Sequence, residues 1–171
     1  TYGDDNIMGV RRGCDWFNHT IISQTLALIG VEYTMADKES ESVPFICIDD
    51  ASFLKRKWRF DEDVGAMLAP LEESSIEGSL LIGIVSKNMT KQAHAVATIQ
   101  GALNEYFFYG KCVFEQKRAM FLEIIEEEGL TDWAFEGLRT WDDCVRSFTR
   151  SSRSYERVRD ANNRERVDSS S

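Results

Sequence analysis

The sequence predicts an α+β fold, mixed α and β over residues 1–69 and mostly α-helical over 70–145, and three observations predict it. Before Pro70 the apolar residues fall in short alternating runs broken by Gly, Ser and Asp clusters. After Pro70 they recur every three to four residues along two long stretches. Thr90, Gly110, Gly129 and Thr140 stand where those stretches need starts and stops.

Taken in order, the apolar run Asn6 to Val10 comes directly after Gly3-Asp4-Asp5 and reads as the second strand of a hairpin whose first strand precedes Thr1. Phe17, Ile21, Ile22, Leu26, Leu28 and Ile29 share one face of a helix over about 15–29, with Gly30 at its C-terminal stop. Val31, Tyr33 and Met35 alternate with Glu32 and Thr34, which predicts a short strand, and the polar 36–42 predicts a loop. Phe45 to Ile48 reads as another strand. Ser52 to Phe60 runs from apolar to basic, and Asp61-Glu62-Asp63 is a turn leading into Met67-Leu68.

Glu72 and Glu73 then sit at a helix start, where the macrodipole favours acids. Thr90 is an N-cap for a helix carrying Ala93, Val96, Ala97, Leu103 and Phe107 on one face and ending at Gly110. A second helix carries Phe114, Phe121, Leu122 and Ile125 and ends at Gly129. Thr140-Trp141-Asp142-Asp143 is a capping-box variant that opens a last short helix. From Arg146 onward seven arginines face four acids and a Ser-rich end, so residues 146–171 carry net +3, and disorder is expected past about Ser151.

Composition narrows the function classes. With 171 residues, a net charge of −9 and 43% apolar residues, the chain has material for a folded core but not for a large multidomain enzyme. The longest apolar run, Leu80 to Val85, is far shorter than the roughly 20 residues of a membrane-spanning helix. The start, Thr1 to Asp5, is polar and acidic, unlike a signal peptide, and lacks Met, so the chain is expected to begin inside a longer polypeptide. Cys14, Cys47, Cys112 and Cys144 include no C-x-x-C pair and read as buried or half-buried thiols of a reducing compartment. His19 and His94 lie 75 residues apart, without the i, i+4 partner of a zinc pair. No G-x-S-x-G elbow supports nucleophilic catalysis.

Gly3-Asp4-Asp5 taken alone is ordinary turn chemistry. It gains specificity from the order of the elements downstream. A strand, a helix and a strand lead to Thr34-Met35-Ala36-Asp37-Lys38, then Phe53-Leu54-Lys55-Arg56 comes about fifteen residues later, before an all-helical region. This succession closely resembles the RNA-directed RNA polymerases of picorna-like positive-strand RNA viruses, from mid-palm to the end of the thumb. Tyr2 to Asp5 is similar to their motif C, Ala36 to Lys38 to motif D, and Phe53 to Arg56 to motif E. The resemblance covers about residues 1–125.

The resemblance implies a partial right-hand polymerase palm over 1–69, in which an antiparallel sheet packs on a helix, then a helical thumb over 70–145 and the tail 146–171. It also implies an enzyme that joins nucleoside monophosphates from nucleoside triphosphates to an RNA 3′ end. That chemistry activates the 3′-hydroxyl and neutralises a pentavalent phosphate with two divalent ions, and hard cations such as Mg²⁺ or Mn²⁺ want carboxylate oxygens. A tight turn projects acids from a rigid sheet end, and Gly3 tolerates its backbone; Tyr2 and Gly3 therefore read as support, Asp4 as the direct ligand and Asp5 as secondary.

Pyrophosphate leaves as a strong anion, so a protonated Lys38 is a plausible general acid, the role the family's motif D lysine carries. A solvated loop lysine is the plainer reading, and Asp37 reads as a loop cap. Lys55-Arg56-Lys57-Trp58-Arg59 is either a solvated strand edge or a phosphate-contacting element. In the family, motif E grips the primer strand with its Phe-Leu pair packed on the palm, which favours RNA contact for Lys55 and Arg56, support for Phe53 and Leu54, and leaves Lys57 and Arg59 open. Trp58 reads as packing.

Ser86-Lys87-Asn88 matches no thumb contact of the family, and the segment after Gly129 extends beyond the short thumb of the better-known relatives. Glu39 stands where several relatives have a small residue, which marks a divergent lineage. Further implications are an RNA template and primer or product strand, nucleoside triphosphates, a protein primer, other viral replication proteins, and residence in membrane-associated complexes of the host cytoplasm. Without the upstream aspartate motif, the nucleotide-selecting motif and the fingers, this piece alone is expected to be inactive. The competing readings are a non-catalytic RNA-binding or replication-complex module and a reverse transcriptase palm, where the residue before the Asp pair is usually not Gly.

Overall fold

A computed structural model describes residues 2–3, 5–83 and 88–152. The chain is α+β: helix α1 (His19–Ala27), a two-stranded antiparallel sheet of β1 (Arg59–Asp61) and β2 (Ala66–Leu68), then α2 (Glu73–Leu81), α3 (Lys91–Tyr106) and α4 (Lys111–Glu127). A further helix, α5, covers 141–152. It forms two compact units, one of Thr1–Phe60 with Met67–Glu73 and the other of Asp61–Ala66 with Ser74–Ser171.

In the first unit, α1 starts later than its apolar spacing suggests, because Asn18 caps it: the Asn18 Oδ1 accepts from the Ile21 N–H at 3.1 Å. Gly30 stops it as expected. With φ +76, Gly30 donates to the Ala27 carbonyl at 3.1 Å while Val31 donates to Leu26 at 3.1 Å, the paired bonds of a Schellman end. No α1 side chain is buried, and Leu28 beyond its end is 85% exposed. Among the described residues of this unit, only Ala51 and Leu68 are buried apolar side chains.

Three expected strands, Asn6–Val10, Val31–Met35 and Phe45–Ile48, are irregular instead. A strand exists only where a neighbouring backbone pairs with it, and among the described residues none runs beside these segments. Side chains hold 31–35 in place of a ladder: Tyr33 stacks on His19 with centroids 4.9 Å apart, its hydroxyl donates to Asn6 Oδ1 at 2.8 Å, and its carbonyl accepts from Ser23 Oγ at 2.9 Å. At 45–48 the Cys47 carbonyl accepts from both Asp50 and Ala51 N–H, each at 3.1 Å, which curls the chain into a turn. In place of the expected multi-stranded sheet, the described residues form one hairpin of two three-residue strands.

The helical unit has a real core. Helix α3 starts at Thr90, whose side chain accepts from the Ala93 N–H at 3.2 Å, and packs on α4. Leu103, Tyr106 and Phe107 meet Phe114, Phe121 and Ile125, all buried. Phe114, Phe121 and Ile125 lie at i, i+7 and i+11, one helical face. Gly110 (φ +99) lets the chain reverse between the two helices. At Gly129 (φ +63) the end of α4 repeats the Schellman pattern, with Leu130 donating to Ile125 at 2.8 Å and burying its side chain.

The segment after Gly129 belongs to this core. The Arg118 guanidinium donates to the carbonyls of Arg139 (3.0 Å) and Leu138 (3.4 Å), and the Arg139 N–H donates to Gln100 Oε1 at 3.1 Å. Trp141 is 5% exposed, its ring 4.9 Å from Phe107 and edge-on to Phe114 at 5.6 Å. The capping box opens α5 as the sequence predicts: Asp143 N–H donates to Thr140 Oγ1 at 3.2 Å, and Thr140 N–H donates to Asp143 Oδ2 at 3.0 Å. The Thr140 hydroxyl, which donates to Asp143 Oδ2 at 2.6 Å, holds the Asp143 carboxyl below its ordinary value, helped by the Thr140 N–H and by Arg146 paired to the same carboxylate.

The structure describes the start of the tail and corrects the expectation for two of the cysteines. Residues 146–152 of the Arg/Ser tail are helical, since Phe148 anchors α5 against Phe107 at 5.8 Å; the rest of the tail, like Ser86 and Lys87, lies outside the described residues. Cys47 and Cys112 are exposed rather than buried, one in an irregular segment and one on the solvent face of α4; Cys14 is half-buried, and burial pushes the Cys144 thiol up. No described helix is long and apolar enough to cross a membrane.

Candidate active site

The three sequence motifs lie in the first unit, each on its own turn. At the first, Tyr2 and Asp5 form an isolated antiparallel bridge, Tyr2 N–H donating to the Asp5 carbonyl at 2.8 Å and Asp5 N–H to the Tyr2 carbonyl at 3.0 Å. That doubly bonded pair leaves two residues for the loop. Gly3 takes φ +59, the left-handed conformation that such a turn requires at its first corner. Asp4, the expected direct ligand, lies outside the described residues. Tyr2 and Asp5 are exposed.

Lys38 sits exposed on a turn that Asp37 builds. The Asp37 carboxylate accepts from the Glu39 N–H at 3.2 Å and from the Ser40 hydroxyl at 2.9 Å, and the Asp37 carbonyl accepts from the Ser40 N–H at 3.0 Å. Asp37 is thus the loop cap its sequence context suggests. Both of its carboxylate oxygens are spent on holding the turn, and Lys38 is presented to solvent.

The third turn is strained. Phe53 and Arg56 exchange backbone hydrogen bonds at 3.0 Å each, and Leu54 and Lys55 between them take φ +51 and φ +60. Two successive left-handed residues define a type I′ turn, normally the place of Asn-Gly. Here neither residue is Gly, so the turn stores about 1–2 kcal/mol per residue. Neighbouring pairing holds it: Glu72 N–H donates to the Lys55 carbonyl at 2.8 Å, Lys57 N–H to Pro70 at 3.3 Å, and Arg56 bridges Leu71.

The cations of this turn differ. Lys55 is exposed and reaches Glu72 at 3.6 Å, with side chains 67% and 55% exposed, so water screens the pair. Half-buried Arg56 donates from Nη1 to the Ala69 carbonyl at 2.9 Å. Phe53 and Trp58 are half-buried, and Leu54 is exposed at the turn corner. Lys57 is exposed and Arg59 half-buried. Sequence reasoning missed Glu72 as the neighbour of Lys55; its only sequence signal was a place at a helix start, because the pairing comes from strand-like contact across 17 residues.

A divalent ion would find a hard oxygen donor in the exposed Asp5 carboxylate. Among the described residues, no three His, Cys, Asp or Glu side chains gather in a group able to hold a metal.

The family described as viral RNA-dependent RNA polymerase matches residues 1–92, a stretch that takes in all three turns. The RNA1 polyprotein of Satsuma dwarf virus is 34% identical over 130 residues, covering 75% of this chain and 6% of that polyprotein. The replicase polyproteins of Drosophila C virus (28% over 125 residues) and Cricket paralysis virus (26% over 139 residues) cover 72% and 81% of the chain, and 7% of each polyprotein. The chain belongs to the viral RNA-dependent RNA polymerase family. It spans 6–7% of the length of these relatives, and the matches to them run longer than the family match, so they share part of the helical unit as well.

Proposed function

We propose that this chain is the piece of a picorna-like viral polymerase running from the middle of the palm (residues 1–69) through the thumb (70–145) to a basic tail (146–171). The parent protein extends an RNA 3′ end on an RNA template, using nucleoside triphosphates. The observation that carries this reading is the match of residues 1–92, which spans an acid-bearing two-residue turn, a lysine turn and a basic turn in the family's order.

Asp4 and Asp5 would hold magnesium or manganese, with further carboxylates from elsewhere in the parent protein. When bound, such ions lower the pKa of the attacking hydroxyl and neutralise charge on the phosphate. The chain's own residues do the rest. The Tyr2–Asp5 hydrogen bonds close the turn and hold the backbone of Asp5. Lys38, held out on a turn whose Asp37 is already engaged, gives a proton to departing pyrophosphate.

Lys55 contacts the phosphates of the product strand, since an exposed cation whose pair with Glu72 is screened can exchange it for phosphate. Arg56, with its guanidinium on the Ala69 carbonyl, acts by holding the turn as much as by touching RNA. Phe53 and Leu54 support that turn. The parent is cut from a polyprotein and works with a protein primer and other viral proteins in membrane-associated complexes of the host cytoplasm. This piece alone is inactive.

The decisive experiment is Asp4→Asn in the full-length parent. Nucleotide addition should fall by several orders of magnitude with the melting temperature unchanged, and Lys38→Ala should lower the rate of chemistry while leaving RNA affinity intact. Full activity in Asp4→Asn refutes the ligand assignment.

A further inference from the structure

We infer that the turn Ala134–Gly137 of the helical unit is a docking point for a protein segment that carries Lys and Arg around an apolar anchor. Its tip is built to present an aromatic ring. Gly137 N–H donates to the Ala134 carbonyl at 2.8 Å and Gly137 takes φ +67, which leaves Phe135 and Glu136 at the two corners. Phe135 is 87% exposed, although the core of its own unit lies close along the chain at buried Leu130 and Leu138.

The turn is also held rigidly. The Arg118 guanidinium and Gln100 fasten the backbone at Leu138 and Arg139, and Leu130 anchors the other side. A pre-ordered loop loses little entropy when it binds, which suits an exposed aromatic residue to the centre of an interface. Trp133, one residue before the turn, is 36% exposed.

Charge selects the partner. Residues 123–138 contain six acids, Glu123, Glu126, Glu127, Glu128, Asp132 and Glu136, and no Lys, Arg or His. All six are exposed. Glu126, Glu127 and Glu128 stand at the C-terminal end of α4, where the macrodipole is already negative, and α4 has no basic residue in its last turn. Folding alone would favour lysines there, so the acids oppose the helix they sit on. A cationic partner relieves that conflict, and the phosphates of a nucleic acid would aggravate it.

The test uses the purified 171-residue chain and a fluorescein-labelled peptide in which Lys and Arg flank a central Leu-Leu pair, read by anisotropy. Oligolysine of equal charge and single-stranded oligouridylate serve as comparison probes. The peptide should bind more tightly than oligolysine, and Phe135→Ser should weaken it about tenfold. Glu127→Lys with Glu128→Lys should weaken peptide binding and flatten its salt dependence while raising the melting temperature, since lysines there complement the macrodipole. A stabilised variant that binds less cannot be explained by misfolding.

Peptide binding indifferent to Phe135→Ser overturns the inference, as does oligolysine binding equally well. Weakened oligouridylate binding in Phe135→Ser overturns it in favour of RNA. A dimer of the chain that Phe135→Ser converts to monomer overturns it in favour of a second copy.

Discussion

Trp141→Ala tests whether the segment beyond Gly129 is part of the helical core. Trp141 is 5% exposed and lies against Phe107 and Phe114. Burying an indole removes on the order of 200 Å² from water, about 5 kcal/mol at about 25 cal/mol per Å². Compactness of the unfolded chain reduces this to about 3–4 kcal/mol. Loss of the two ring contacts adds about 1–2 kcal/mol, and the better helix propensity of alanine returns about 0.5 kcal/mol. The expected loss is therefore about 4 kcal/mol, within the range for Trp truncation in a core and a large part of a small unit's total stability. Urea unfolding followed by far-UV circular dichroism measures it, with Phe135→Ala as the exposed control expected within about 0.5 kcal/mol of the parent. A loss below about 1 kcal/mol for Trp141→Ala would refute the docking of α5 onto α3 and α4.

Two further predictions rest on local geometry. Lys55→Gly should stabilise the type I′ turn by about 0.5–1 kcal/mol, because relief of a left-handed φ exceeds both the extra freedom of glycine when unfolded and the screened Glu72 pair. Slower hydrogen exchange of the Arg56 amide reads the effect, and faster exchange there would contradict the strain argument. Asp143 predicts a pH dependence at the start of α5. Its folded carboxyl lies below the ordinary 3.8, so its contribution is complete above that value and disappears as pH falls through the lower, folded value. Helicity measured below pH about 4 should therefore drop in the parent but stay level in Asp143→Asn, whose capping side chain cannot titrate.

Helix ends were the most legible part of this chain. Gly30, Thr90, Gly110, Gly129 and the Thr140–Asp143 box act where the sequence places them, because each effect is complete within five or six residues. Strands were not legible to the same degree. Val31-Tyr33-Met35 has the alternation of a strand, yet Tyr33 spends its bonds on His19, Asn6 and Ser23, since alternation shows that a segment can pair and not that a partner lies alongside. The candidate site divides the same way. The order of Gly3-Asp4-Asp5, Lys38 and Lys55-Arg56 was visible in one dimension, whereas the neighbour of Lys55 and the carbonyl under Arg56 come from residues 69–72.

The helices with their caps, the chemical types in the three turns and the family to which they belong were all readable from the order of residues, since each depends on neighbours within a short span of chain. Long-range packing was needed to establish that Arg118 and Gln100 fasten the segment after α4, that Trp141 is core while Phe135 faces water, and that Leu54 and Lys55 are forced into left-handed backbone. Each of those outcomes depends on which distant groups compete for the same space or the same carbonyl, a contest that spacing along the chain does not record.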